Sequence, residues 1–178
     1  MPSTSSPTPS SPRYGIHTAD IRTARVSDPI QLVVFTLDGR RYALHLAVVE
    51  CSLRMVDISP LPKAPDIVLG VINVQGRVLP VMNIRKRFQL PERDVSPDDQ
   101  LIVARTSRRA VALAVDAVHG LVDRADQEII AVGEILPGVK YVEGVMKLED
   151  GLVLVHDIDR FLSLEEDRAL NAALTDGR

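Results

Sequence analysis

Between Gly70 and Phe88, GVINVQGRVLPVMNIRKRF, apolar positions form two arms around a polar break. Val71, Ile72 and Val74 make one arm, Gln75-Gly76-Arg77 holds the glycine that a tight turn needs, and Val78 to Ile84 return. The pattern predicts a β-hairpin. It comes back between Gly144 and Leu162, GVMKLEDGLVLVHDIDRFL, where Val145, Met146, Leu148, Leu152, Val153, Val155 and Ile158 match Val71, Ile72, Val74, Val78, Leu79, Val81 and Ile84. The spacing is 74 residues throughout, with no gap. Self-similarity at one spacing marks two copies of a small unit.

Ahead of this pattern, residues 1–28 are rich in Ser, Thr and Pro and hold almost nothing to bury. Ordering them would cost backbone entropy without return, so a disordered tail is expected, with Ile16, Ile21 and Val26 available for a transient helix or a docking segment. From Gln31 the texture changes. Leu32 to Leu37 predicts a strand, Asp38-Gly39 a hairpin turn and Tyr42 to Leu46 the partner strand. A turn at Ala47 to Glu50, a strand over Ser52 to Ile58, the stiff segment Pro60 to Pro65 and one helical turn at Asp66 to Leu69 follow. Pro80 has no N–H to donate, which puts its strand at a sheet edge or beside a bulge.

The polar stretch Leu90 to Gln100 reads as the linker between copies. Beyond it, Leu101-Ile102-Val103, Arg108-Arg109 and Ala112-Leu113 repeat the opening of the first copy at an offset of 69, slipping by one at the turn. Glu128 to Val132 suits a strand, Gly133 to Gly138 a loop, and Tyr141-Val142-Glu143 the lead into the second hairpin. Ser163-Leu164-Glu165-Glu166 has the form of a capping box. It opens a helix with Leu164, Leu170, Ala173 and Leu174 as its apolar stripe and Gly177 as its stop, packed on the second copy.

Two copies of about 65–70 residues, each with about five short strands, indicate barrels, because closure removes the edges of short strands. The expected class is all-β: two small, pseudo-duplicated five-stranded barrels of SH3 or OB type. Units of that size have marginal cores, so a shared hydrophobic core should join them. The boundaries are 1–28 for the tail, 29–166 for the domain with subdomains at about 29–90 and 101–162, and 163–178 for the C-terminal helix and its end.

Composition narrows the function. Of 178 residues, 46% are hydrophobic, but only 3% are aromatic and none is Trp. With a net charge of −3 there is no cationic excess for phosphates and little to stack bases on. An oligonucleotide-binding double barrel is therefore kept only as the alternative from another class. The single cysteine, Cys51, suits a reducing compartment. No apolar run reaches the length of a membrane span and the start lacks a signal-peptide layout, so a soluble, cytoplasmic protein is expected.

A search for reactive groups finds none that converge. His17, His45, His119 and His156 lack metal-ligand spacing, and Cys51 reads as a small buried side chain. Asp157 and Asp159 suit helix capping more simply than acid–base work, and Gly133, Gly138 and Gly144 are spaced as turns, not as a nucleotide loop. Arg85-Lys86-Arg87 reads as a solvated cationic face. No cofactor is expected, and the absence of a catalytic set favours a binding module.

The hairpin from Gly70 to Phe88 resembles that of the CheW family, adaptors that couple chemoreceptors to CheA histidine kinases. The family pattern reads roughly G-V-x-N-x-R-G-x-x-x-P-V-x-D-L-R, met here by Gly70, Val71, Asn73, Gly76, Pro80, Val81 and Arg85. Over residues 31 to about 166, Phe35, Leu37, Tyr42, Val48, Glu50, Val115-Asp116-x-Val118, Gly144 and Val153-Leu154-Val155 extend the likeness. The resemblance implies two five-stranded barrels on a shared core. It further implies a groove for the cytoplasmic tip of a methyl-accepting chemoreceptor, barrel ends that pair with the regulatory domain of a CheA-type kinase, and recruitment to receptor arrays at the inner face of the membrane without insertion. By motif, Val48, Glu50, Gly70, Gln75, Leu101 and Leu121 fall at positions associated with receptor coupling, although core packing explains the apolar ones equally well.

Two departures stand out. Gln75 replaces the motif's arginine and Asn83 its aspartate. Arg77 stands two residues beyond Gln75, and we expect it to take the lost guanidinium's place beside Glu50; simple exposure of both turn residues is the plainer alternative. The same departures raise a divergent array governing surface motility or second-messenger output as an alternative setting for the same adaptor role.

Overall fold

The computed structural model describes residues 29–125, 128–131, 141–149 and 151–176. The expected tail at 1–28, the loop at 133–138 and the Gly177 stop lie outside them. The first copy forms β1 (Ile30–Leu37), β2 (Arg40–His45), β3 (Val49–Arg54), β4 (Val68–Val74) and β5 (Arg77–Met82), then the short helix α1 (Ile84–Arg87). The second forms β6 (Gln100–Arg105), β7 (Ala110–Val115), β8 (Ala117–Arg124), β9 (Ile130–Ala131), β10 (Val142–Leu148) and β11 (Gly151–His156). A terminal helix, α2 (Leu164–Asp176), closes the chain. All four limits of the β4–β5 hairpin move by 74 residues onto those of β10–β11.

Both first-copy hairpins turn on two residues with positive φ, Asp38-Gly39 at 52° and 69° and Gln75-Gly76 at 51° and 83°. This is the geometry whose twist suits paired strands. The polar break thus spans two residues, and Arg77 is already the first residue of β5. Elsewhere the strands shift from expectation. The third strand begins at Val49 rather than Ser52, and Cys51 on it is exposed, not buried, because β3 is a sheet edge. Asp66-Ile67 is a turn closed by Val68 N–H donating to the Pro65 carbonyl (2.8 Å), not a helical turn. Pro80 lies just ahead of the residues through which β5 meets β7, Val81 and Met82, so its missing donor falls where β5 has only β4 beside it.

The strands assemble into two sheets, one ordered β8-β1-β2-β11-β10-β9 and the other β3-β6-β7-β5-β4. Exchanging every strand for its counterpart in the other copy turns one order into the other. The two-residue β9 has its own counterpart in the single bridge Ser59–Val71. The sheets therefore do not follow the sequential division into 29–90 and 101–162: each copy lends its first hairpin to the sheet completed by the other.

Burial explains why the lent hairpins are apolar on both faces. Leu32, Val34 and Ala43 face Met146, Val153 and Val155 inside the first sheet; Leu101, Val103 and Ala112 face Ile72, Leu79 and Val81 inside the second. The alternate residues Phe35, Leu37, Tyr42, Leu44, Ile102, Ala104, Leu113 and Val115 meet between the sheets in one shared core. Successive side chains of a strand point to opposite faces, so both faces of β1, β2, β6 and β7 are buried.

α2 is capped as expected. Ser163 Oγ accepts from Glu166 N–H (3.1 Å) and Glu166 returns the bond by accepting from Ser163 N–H (2.8 Å). Its Leu170 and Ala173 are buried while Leu164, placed in the stripe by the sequence, is half exposed. The helix packs on the shared core rather than on the second copy alone.

Gly70 and Gly144 occupy equivalent bulges where a strand crosses closely. A Cβ on Gly70 would stand 2.3 Å from the Ser59 carbonyl oxygen, and its φ is +152°. That carbonyl accepts from Val71 N–H at 2.8 Å, so it cannot yield without losing a bridge. Gly70→Ala should cost at least about 3 kcal/mol, the upper range of overpacking, read as a lowered urea midpoint at unchanged slope.

Candidate functional site

At one end of the second sheet, the start of β3, the end of β6 and the tip of the β4–β5 hairpin come together. Glu50 is the extra residue of a bulge in β3 opposite Ala104 and Val103, and bulges re-aim side chains. Its carboxylate accepts from Arg77 Nη2 (2.5 Å) on one oxygen and from Arg105 Nη2 (2.8 Å) and Nε (3.2 Å) on the other. The expected Arg77–Glu50 pair is present, with Arg105 as a second partner. The Arg77 hydrogen bond first, then that of Arg105, holds the Glu50 carboxyl below its usual range. The acid is 23% exposed but Arg77 and Arg105 are 48% and 67% exposed. The surface thus presents more of the two guanidinium groups than of the carboxylate between them. Val78, 58% exposed, adjoins Arg77 in the chain.

Nothing in the sequence singles out Arg105, which ends an apolar strand far from the hairpin. The antiparallel pairing of β3 with β6 is what brings it to Glu50. Arg77 reaches Glu50 by opening β5, not by sharing a strand face with Gln75, which is an exposed turn residue.

The other motif positions separate. Leu121 on β8 is 57% exposed, opposite Val33 of β1 in the other sheet. Val48, in a 3-10 turn after β2, is partly buried against the shared core, as is Val118. Leu101 is wholly buried inside the second sheet, and Gly70 is buried where its missing Cβ admits Ser59. Neither presents a side chain to a partner.

Several motif residues prove to be scaffold. Asn73 Oδ1 accepts from Gly76 N–H (2.8 Å) across the hairpin turn. Asn83 caps α1, its Oδ1 accepting from Lys86 N–H (3.3 Å), a role in which Asn and Asp are about equal. At this position the departure from the family pattern keeps the capping role. Asp157 likewise accepts from Asp159 N–H (3.0 Å).

The cationic run 85–87 is not the solvated face expected. Arg85 is buried and pairs with Asp116 (2.5 Å), whose other oxygen accepts from Asp38 N–H (2.7 Å). Arg93 then bridges Asp116 (2.8 Å) to buried Asp99 through two bonds (2.8 and 2.6 Å). Burial alone would raise the Asp99 pKa, but Arg93 and the Ser96 N–H hold it below the usual range. This chain of charges pins the linker between copies. Arg87 makes a fork onto Glu166 (2.8 and 2.6 Å) and lies 5.1 Å from the Tyr141 ring centre. Only Lys86 keeps the exposed character read from sequence.

Few as the aromatic rings are, Phe35, Tyr42, Phe88 and Phe161 gather with His156 in the shared core, the imidazole stacked 4.2 Å from Phe88. His156 Nδ1–H donates to the Tyr141 carbonyl (2.8 Å), and burial pushes the imidazole down to about 4. An unfolded histidine titrates near 6.5. Between those values the unfolded chain binds a proton that the folded chain refuses, so stability is complete above about pH 6.5 and falls towards pH 4. The loss is on the order of 3 kcal/mol. Urea midpoints measured across this window should show the slope, and His156→Phe should remove it.

Among the described residues, no group of three or more His, Cys, Asp or Glu side chains is placed to hold a metal ion, and no helix is long and apolar enough to cross a membrane.

The chain is similar to known proteins along most of its length. The chain is 29% identical over 136 residues to the chemotaxis protein CheW of Thermotoga maritima, covering 74% of this chain and 87% of that one. It is 27% identical over 141 residues to the chemotaxis protein CheW of Rhizobium meliloti, covering 78% and 91%. Over 85 residues it is 32% identical to the protein FrzA of Myxococcus xanthus, about half of each chain. Among solved structures, the scaffolding protein TtCheW of Thermoanaerobacter tengcongensis superposes with a TM-score of 0.70 at 27% identity, covering 78% of this chain and 95% of that one. The family profile described as the CheW-like domain matches residues 31–166, from the first strand into the terminal helix, and the chain belongs to that family.

Proposed function

We propose that the chain is a non-catalytic adaptor that couples a chemoreceptor to a CheA-type histidine kinase. The observation that carries this is the family match over both sheets and their shared core, together with a charged, exposed end at Glu50, Arg77 and Arg105. The margin of the shared core at Val48, with exposed Leu121, takes the cytoplasmic hairpin tip of a methyl-accepting chemoreceptor. The charged end at Glu50, Arg77 and Arg105 belongs to the same receptor surface, and the opposite sheet ends pair with the kinase's regulatory domain. Held in one geometry, a small movement of the receptor tip biases the kinase between states, which needs only differential affinity for the two. Location follows from binding: the protein sits at receptor arrays on the inner face of the membrane and disperses when receptors are removed.

Calorimetric titration of the purified chain against its cognate kinase's regulatory domain tests this, with a receptor hairpin fragment as the second titrant. Saturable binding to both is expected. Absence of binding to the regulatory domain of every such kinase encoded beside it would overturn the proposal.

A further inference from the structure

The internal duplication is broken by α2, which has no counterpart in the first copy. Shifted by 69 residues, Arg40 and Tyr42 fall on Arg109 and Val111; shifted by 74, Leu154 and His156 of β11 fall on Pro80 and Met82. At Arg109 the second sheet is covered by α2. Arg109 Nε faces Asp167 Oδ1 at 2.9 Å, its Nη2 donates to Asn171 Oδ1, and Leu170, three residues beyond Asp167, is wholly buried. Farther along, Lys63 pairs with Asp176 (3.2 Å). α2 therefore docks by a carboxylate and a leucine on one helix face, at the spacing that makes neighbours.

At Arg40 the corresponding place is a cavity among the described residues. After α1 the chain leaves as the linker, held at Arg93 by Asp99 and Asp116, and none of residues 90–99 lines the space between α1, β2 and β11. That space measures about 670 Å³, and no described carboxylate lines it. Tyr42 and His156 are sealed in the shared core and form only its floor. Arg87 on its wall is already paired with Glu166. What faces outward is different. Arg40 is exposed, makes no ion pair with any described carboxylate, and has the Tyr42 hydroxyl as its hydrogen-bond partner. Lys86 has Asp66 at 3.6 Å, itself 92% exposed. Leu154 is partly buried, and Leu152, two residues earlier and so on the same face of β11, is 66% exposed.

We propose that this place docks an acidic amphipathic helix of a partner protein, as its counterpart on the second sheet docks α2. One carboxylate of the helix sits at Arg40 and Lys86, and an apolar side chain one turn away packs on Leu152 and Leu154. The unpaired cations select an acidic helix, and the apolar wall selects an amphipathic one. None of Val48, Glu50, Arg77, Arg105 and Leu121 lines the cavity, so the helix belongs to a partner other than the receptor tip.

The α2 sequence supplies the probe: a capped peptide of residues 163–176, with four acidic residues and one basic. Titrated into the 15N-labelled full chain, it should bind saturably with a Kd below about 1 mM. The amide signals of Arg40, Leu152 and Leu154 should move while that of Arg109 stays in place. Arg40→Glu or Leu152→Asp in the chain should each weaken binding at least about tenfold. A peptide carrying Asp167→Lys should recover affinity for the Arg40→Glu chain alone. Both residues are exposed, so the melting temperature should hold, and binding of the receptor hairpin and the kinase's regulatory domain should be unchanged. No saturation at millimolar peptide, signals moving at Arg109 instead of Arg40, or unchanged affinity in the double variant would overturn the proposal. Loss of kinase or receptor binding in that variant would also overturn it, by making the surface part of coupling. The peptide titration reads the same whether or not those coupling partners bind.

Discussion

Expressed separately, residues 29–90 and 91–178 should each be unfolded, and mixing them should restore the folded protein. The ladders dictate this. In the first fragment β3 loses its only strand partner, β6, and what remains is the two hairpins β1–β2 and β4–β5. In the second, β8 loses β1. A two-stranded hairpin alone is marginal at best in water. The cores divide the same way: the interiors of the two sheets draw three buried residues from each copy, Leu32, Val34 and Ala43 against Met146, Val153 and Val155, and Ile72, Leu79 and Val81 against Leu101, Val103 and Ala112. Far-UV circular dichroism and amide-proton dispersion read the result. A folded spectrum from either fragment alone would show that a copy can complete a sheet by itself, contrary to the observed strand order.

Reversing one charge at the exposed end, by Glu50→Arg or by Arg77→Glu, should weaken receptor-tip binding by at least about tenfold. Glu50→Arg places three guanidinium groups where one carboxylate now satisfies two, and the bulge of β3 parts from the β4–β5 tip. Arg77→Glu sets two carboxylates against each other with Arg105 alone between them. The double reversal restores an opposed pair, so most of the affinity should return. Recovery should be incomplete, since Arg105 then faces a like charge on β3, and adding Arg105→Glu should supply the remainder. Melting temperatures taken alongside distinguish a lost contact from a lost fold, because the residues concerned lie at the surface. If the double reversal binds no better than the single ones, the pair is not what orients this end.

Much of this architecture is legible in the chain. The 74-residue echo is present in the strand limits, the turn glycines carry the positive φ expected of them, and the capping box at Ser163 closes as written. The opening strands also keep their offset of 69: Leu32 and Leu101 are each buried inside a sheet, and Ala43 corresponds to Ala112. What the chain does not declare is which copy completes which sheet. A strand that is apolar on both faces shows that it is covered twice but not by what, so neither the strand exchange nor the meeting of Arg105 with Glu50 could be read from local pattern. For the same reason the charges of Arg85 and Arg87 look solvated in sequence. Their partners, Asp116 and Glu166, lie 31 and 79 residues away. At the site the lesson runs the other way. The most recognisable motif positions, Gly70, Asn73, Asn83, Arg85 and Asp116, are explained by crossing, turning, capping and linker pinning, whereas Arg77, Arg105, Val78 and Leu121 stand exposed.

The adaptor reading stands or falls on coupling itself. Kinase autophosphorylation, followed with the receptor's cytoplasmic fragment present and with this chain added in increasing amounts, measures it directly. Kinase activity should change with receptor state only when the chain is present, and Glu50→Arg at equal concentration should abolish the dependence. Kinase activity that ignores the receptor at every concentration of a folded, binding-competent chain would contradict it.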